Sequence, residues 1–154
     1  MKTRRWFFMA RLESKDGRIL AVDFGDTRTG LAVSDELRFL ASGIGYISPG
    51  GIEKTAAAVA EEAKKQNVSA IVVGHPLNMN GTEGPRAARA AEFAELLRCK
   101  LDGMEVVLFD ERMTTMAATR YLNETNLRGK KRKGVIDTLS AQIILQNFLD
   151  SLAK

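Results

Sequence analysis

The feature that most constrains this chain is the stretch from Arg18 to Asp35. Ile19 to Val22 is a continuous apolar run, as expected for a strand buried on both faces. Asp23 interrupts that run, and Gly25 and Gly30 flank a polar turn before Leu31-Ala32-Val33 resumes the apolar character. The pattern predicts two paired strands joined by a tight connection. Glycine there permits backbone angles and close approaches that a side chain would block. Asp23 has two readings. It is a turn residue accepting nearby backbone N–H groups, or it is a metal ligand or catalytic carboxylate. An ionised carboxylate among apolar residues needs a partner, so the second reading requires other acids elsewhere.

The chain is 154 residues long with a net charge of +4. That length suits one domain with a real core. No apolar run approaches the roughly 20 residues of a membrane helix, so no membrane association is expected. Trp6 to Ala10 is shorter than the ~7–15-residue apolar segment of a secretory signal. Residues 1–16 are therefore expected to be a flexible N-terminal extension, and residues 17–154 a single domain. Cys99 is the one cysteine, which excludes an internal disulfide and a cysteine zinc cluster. The default location is the cytoplasm, and the modest basic charge favours a polyanionic partner.

Further along, Gly43 to Ser48 predicts a third strand, ended by Pro49-Gly50-Gly51. Ile52, Ala56, Val59, Ala60 and Ala63 fall at helical spacing, and Asn67 is a plausible terminator. Ala70 to Gly74 predicts a buried strand. The polar loop from His75 to Pro85 leaves its end, as loops lining the ligand crevice of open α/β sheets do. Pro85 suits the first turn of a helix that buries Ala90, Phe93, Ala94, Leu97 and Leu101. Arg86 and Arg89 at its start oppose the helix dipole, which suits an anionic ligand or simply solvated charge.

Val106 to Phe109 predicts another strand, running into Asp110-Glu111-Arg112. Thr114 or Thr115 can cap a helix carrying Ala117, Ala118, Tyr121 and Leu122. Gly129 to Gly134 is expected to be a basic, glycine-bounded loop. A last helix is expected from about Val135 to Leu152, with the stripe Asp137, Ala141, Ile144, Leu145 and Phe148. Asp137 then sits at the top of that helix on its inward side. An acid favoured by the helix N-terminus is the plainer explanation. Strands alternating with helices after a hairpin imply an α/β fold with a mixed sheet.

Asp23, Glu111 and Asp137 all stand at element ends. Asp110 is a fourth candidate, but strand alternation can turn it away from Glu111. Glu111, just past the strand, can reach over the sheet's end. Converging carboxylates repel unless a cation joins them. Mg²⁺ or Mn²⁺ suits oxygen ligands, and two such ions can drive phosphodiester hydrolysis. Lys130, Lys131, Arg132 and Lys133 precede Asp137 and can hold a nucleic-acid backbone. Arg28 and Arg112 can pair with a carboxylate or clamp a phosphate. His75, the one histidine, suits a structural hydrogen bond better than catalysis, since metal-assisted hydrolysis does not require it.

Four motifs resemble a known family: Asp23 to Asp35, Val73 to Ala87, Asp110 to Thr115 and Lys131 to Asp137. Together they are similar to the YqgF/RuvX family of bacterial RNase H-like proteins, over about Arg18 to Asp150. The resemblance implies an RNase H-like fold, with a central five-stranded mixed sheet flanked by helices. It implies metal-dependent nuclease activity in maturing the 5′ end of 16S rRNA, with Asp23, Glu111 and Asp137 as the catalytic and metal-binding acids. Pre-16S rRNA and ribosomal particles are the partners it suggests. His75 departs from the pattern, whose residue there is usually apolar.

Three other functions compete. A Holliday junction resolvase acting on branched DNA would use the same acids and differ in groove shape and 2′-OH recognition. A non-catalytic ribosome-assembly factor would keep the fold and bind RNA. A phosphotransferase of the actin and sugar-kinase type also opens on a hairpin with an Asp and glycines, but it clasps ATP between two domains, for which this chain is too short.

Overall fold

A computed structural model gives the fold. It describes residues 17–113 and 129–152, with side chains for all of these except 113 and 129–137. The elements are β1 (Ile19–Asp23), β2 (Thr29–Ser34), β3 (Ala41–Ile47), α1 (Ile52–Lys65), β4 (Ala70–His75), α2 (Pro85–Lys100), β5 (Glu105–Asp110), a 3₁₀ turn (Glu111–Met113) and α3 (Gly129–Leu152). The five strands form one sheet in the order β3-β2-β1-β4-β5. β1 and β2, and β2 and β3, pair antiparallel. β1, β4 and β5 run parallel. The mixed five-stranded sheet expected from the alternation of elements is present.

Strand alternation divides the apolar residues between two layers. Leu20, Val22, Leu31, Val33, Ile71, Val73 and Val106 face α1 and α2, meeting Ala56, Val59, Phe93 and Leu97. Phe24 stacks on Phe93 with ring centroids 4.6 Å apart. Ile19, Ala21, Ala32, Ala70 and Val72 face α3, meeting Ala141, Ile144, Leu145 and Phe148. The apolar members of the predicted α3 stripe are thus all in the core. Emptying the Phe93 site by substitution to Ala is worth about 3–5 kcal/mol of stability.

Local chemistry sets the element ends. Asn67 takes φ +52° just after the Gln66 cap of α1, the left-handed terminator that asparagine tolerates. Pro85 occupies the first turn of α2. The β2–β3 turn is held by the Asp35 carboxylate, which accepts the N–H groups of Phe39 at 2.8 Å and Leu40 at 2.9 Å. Those amides, the Leu40 one above all, hold the Asp35 carboxyl below the usual carboxylate range.

Two boundaries differ from expectation by more than a single residue. β3 begins at Ala41 rather than Gly43, because Ala41 and Ser42 continue the pairing with Ser34 and Val33. The larger correction concerns the basic segment. Gly129 to Gly134 is not a loop; it forms the first turns of α3. Lys and Arg are good helix formers, and a glycine in a helix costs only about 1 kcal/mol relative to alanine. Lys130, Lys131, Arg132 and Lys133 are therefore helical in backbone. The expected extension through Asp16 and the helix expected after Thr114 or Thr115, with Ala117, Ala118, Tyr121 and Leu122, lie outside the described residues. So do the side chains of Lys130 to Lys133 and of Asp137.

Candidate active site

The carboxyl ends of the parallel strands β1, β4 and β5 lie at one end of the sheet, where open α/β sheets bind their ligands. Asp23 closes β1. Its parity with Ile19 and Ala21 puts it on the α3 face. The register of Val22 beside Val73 brings Asp23 level with Gly74, the next residue of β4 on that face. Glu111 follows β5 directly and folds back over β4. A β-carbon on Gly74 would collide with the Glu111 carboxylate and would lie 2.7 Å from Ile144 Cδ1. Gly74 is thus the floor on which the Glu111 carboxylate rests.

A side-chain hydrogen bond joins the carboxyls of Glu111 and Asp23, so the two acids meet above that floor. Burial raises the Glu111 pKa. The hydrogen bond from Asp23 and the positive charge of Arg86 oppose the rise without cancelling it. Two carboxyls in contact cannot both ionise cheaply without a cation between them.

Asp110 and Glu111 do face opposite ways. Asp110 pairs with His75 in the β4–β5 register. The Arg112 guanidinium takes it in a fork, Nε to Oδ2 at 2.9 Å and Nη2 to Oδ2 at 2.7 Å. That guanidinium holds the Asp110 carboxyl below its usual range. Arg112 also donates to the Met79 carbonyl at 3.3 Å, tying β5 to the 76–84 loop. Pairing with a carboxylate is one of the two roles open to Arg112. His75 lies beside Asp110, with Nε2 3.0 Å from Glu83 Oε2, on the face away from Asp23. This is the structural hydrogen bond expected of it.

The other basic candidates spread around the same end. Arg28, in the β1–β2 turn, lies over the Tyr46 ring at 5.8 Å from its centroid. Arg86 is exposed at the start of α2, and Arg89 pairs with Asp26 at 3.6 Å and Glu92 at 3.1 Å. No acid occupies the first turn of α2 to balance them.

Residue 137 lies more than two turns inside α3, because the helix begins at Gly129. The helix-terminus explanation for an acid there is removed, since the dipole effect fades within the first turn. Residue 137 shares a stripe with Ile144, two turns away or about 10.5 Å along the axis. Ile144 is the residue that touches the Gly74 corner. Among the described residues, no three His, Cys, Asp or Glu side chains form a metal-binding group. The described pair is Asp23 and Glu111.

Gly74 had not been singled out from the sequence. A glycine at the end of a buried strand marks a close approach, and that signal was available.

The sheet order and the helices on both its faces are those of the RuvC-like RNase H fold. Thermus thermophilus RuvC in complex with a Holliday junction substrate matches at TM-score 0.56 and 12% identity, over 87% of this chain and 96% of that one. The fowlpox virus Holliday junction resolvase matches at TM-score 0.53 and 12% identity, over 87% and 99%.

Sequence relationships are closer. A family model described as "RuvX: Holliday junction resolvase" matches residues 17–151. A Ruminiclostridium cellulolyticum protein is 41% identical over 137 residues, 88% of this chain and 96% of its own length. A Clostridium botulinum protein is 45% identical over 141 residues, 89% and 99%. Both are named "Putative pre-16S rRNA nuclease". The chain belongs to the RuvX (YqgF) family, and so to the nuclease class of hydrolases. Among the described residues, no helix is long and apolar enough to cross a membrane.

Proposed function

We propose that this chain is a divalent-metal-dependent nuclease that hydrolyses RNA phosphodiesters in the 5′-end maturation of pre-16S rRNA, in the cytoplasm. The observation that carries the proposal is the carboxyl pair of Asp23 and Glu111 above Gly74. The names of the sequence relatives supply the substrate.

The donor set fits a hard cation. Two carboxyls in contact share a hydrogen bond, and a Mg²⁺ or Mn²⁺ ion would join them through oxygen coordination. Asp23, Glu111 and Asp137 would hold the metal. Such a metal would supply Lewis-acid stabilisation of the phosphoryl group and activation of the attacking water. The remaining work falls to the chain itself. Gly74 fixes where the Glu111 carboxylate rests. Ile144 closes the apolar side of the corner. Arg28, Arg86 and the α3 segment Lys130, Lys131, Arg132 and Lys133 bind the phosphate backbone, with Asp23 and Glu111 at the scissile group. Arg112, held by Asp110, keeps the 76–84 loop in register beside them. Ribosomal particles are the natural setting for such a substrate.

Cleavage of a precursor 16S rRNA fragment in Mg²⁺ or Mn²⁺, abolished by EDTA, tests this function. A second reading has a specific observation behind it. The matching family model is described as a Holliday junction resolvase. Symmetric cutting of a four-way DNA junction, with the RNA left intact, would select that reading. Binding without cutting of either would indicate an assembly factor.

A further inference from the structure

A row of residues crosses the α3 face of the sheet at the level of the acids. Tyr46 on β3 pairs with Gly30 on β2, and Gly30 pairs with Asp23 on β1. Residues directly opposite in paired strands project from the same face, and Ile47, next to Tyr46, packs into the opposite layer. Tyr46 and Asp23 therefore share a face, with a glycine between them that adds no side chain. At about 4.8 Å per strand, their backbones stand roughly 10 Å apart. The Tyr46 side of the row is open: the residue is 47% exposed. A bulge adds Ile44 opposite the Leu31–Ala32 step, two residues before Tyr46. Bulges of this kind re-aim side chains beside active sites. The Arg28 guanidinium lies over the Tyr46 ring, 5.8 Å from its centroid.

We propose that Tyr46, backed by Arg28, is a stacking platform for the base of a nucleotide adjacent to the scissile phosphate. The inference rests on the nuclease reading and assigns that site a single-stranded segment of the substrate. An exposed tyrosine ring offers a base a π-face without selecting its sequence, and the neighbouring guanidinium adds cation–π and phosphate attraction. The glycine at position 30 leaves the sugar-phosphate chain a path from the ring to the carboxylates. A paired duplex would keep its bases stacked on each other, so the platform favours an unpaired strand. Tyr46 binds and positions; it is not a catalytic residue.

The test uses the full chain in EDTA, where binding is read without cleavage. The probe is a single-stranded oligoribonucleotide spanning the precursor 5′ end, with 2-aminopurine placed at successive positions. The wild type should quench the fluorophore at one position next to the cleavage site. Tyr46→Ala should lose that quench and weaken binding about tenfold. Tyr46→Trp and Tyr46→Phe should retain both. In Mn²⁺, Tyr46→Ala should raise KM with kcat nearly unchanged. Equal binding and quenching by the wild type and a folded Tyr46→Ala, in a protein that does cleave the RNA, overturns the platform alone. A wild type that neither binds nor cleaves the RNA overturns the platform and the RNA nuclease reading together.

Discussion

The Glu111 carboxylate occupies the volume that a β-carbon on Gly74 would need. One residue at the end of β4 thereby decides where the acid just past β5 can rest. Gly74→Ala should push that carboxylate and Ile144 aside. A displacement of about 1 Å in a catalytic group costs on the order of 100-fold in rate. Overpacking costs about 1–3 kcal/mol of stability. Cleavage assays beside thermal melts check this. A Gly74→Ala protein that melts like wild type and cleaves at the wild-type rate would contradict it.

The raised Glu111 pKa makes stability depend on pH in a defined direction. The fold favours the protonated form, so this stabilising contribution is full below the ordinary glutamate value. It is lost as pH rises through the folded-state value. In EDTA at neutral pH, Glu111→Gln should therefore melt above wild type, with the difference shrinking as pH falls through the raised folded-state value and gone below about 4. Adding Mn²⁺ at neutral pH should raise the wild-type melting temperature and leave Glu111→Gln nearly unchanged.

The Asp110–Arg112 fork has the opposite sign. Arg112 lowers the Asp110 pKa, so the pair contributes above the ordinary aspartate value and is lost as pH falls through the folded value. Both side chains are partly exposed, so solvent screening keeps the coupling small. A double-mutant cycle with Asp110→Asn and Arg112→Gln should show that coupling at pH 7 and lose it once pH falls below the lowered Asp110 value. Arg112→Gln should also loosen the 76–84 loop, read as faster amide exchange at Asn78 and Gly81.

The α3 charges are proposed to act through the phosphate backbone. Replacing Lys130, Lys131, Arg132 and Lys133 by Gln should keep the helix, since Gln is also a good helix former. For single-stranded RNA, the salt dependence of binding should flatten by up to about 0.7 per lost phosphate contact. An unchanged slope would show that these side chains do not meet the nucleic acid.

The hairpin, β4, β5 and the α3 stripe were legible because a continuous apolar run or a helical period marks each of them, although only Val106 of β5 is buried. Ile19, Ala21 and Asp23 alternate; Ala141, Ile144, Leu145 and Phe148 repeat at helical spacing. The opposite facing of Asp110 and Glu111 was likewise readable from alternation alone. What failed was the start of α3. Four basic residues between glycines look like a loop by composition, but their backbone preference is helical. The role of Gly74 and the alignment of Tyr46 with Asp23 depend on which strands become neighbours, and local sequence carries no such information. The pairing of Arg112 with Asp110 was one of two readings that only geometry separates.

The central claim is that Asp23, Glu111 and Asp137 act together on an RNA phosphodiester. The most direct measurement incubates precursor 16S rRNA with purified wild type, Asp23→Asn, Glu111→Gln and Asp137→Asn in Mg²⁺ or Mn²⁺, with EDTA and a four-way DNA junction as controls. The account predicts metal-dependent cutting of the RNA by wild type and its loss in all three folded variants. Undiminished cutting by the three variants, or cutting of the junction alone, would contradict it.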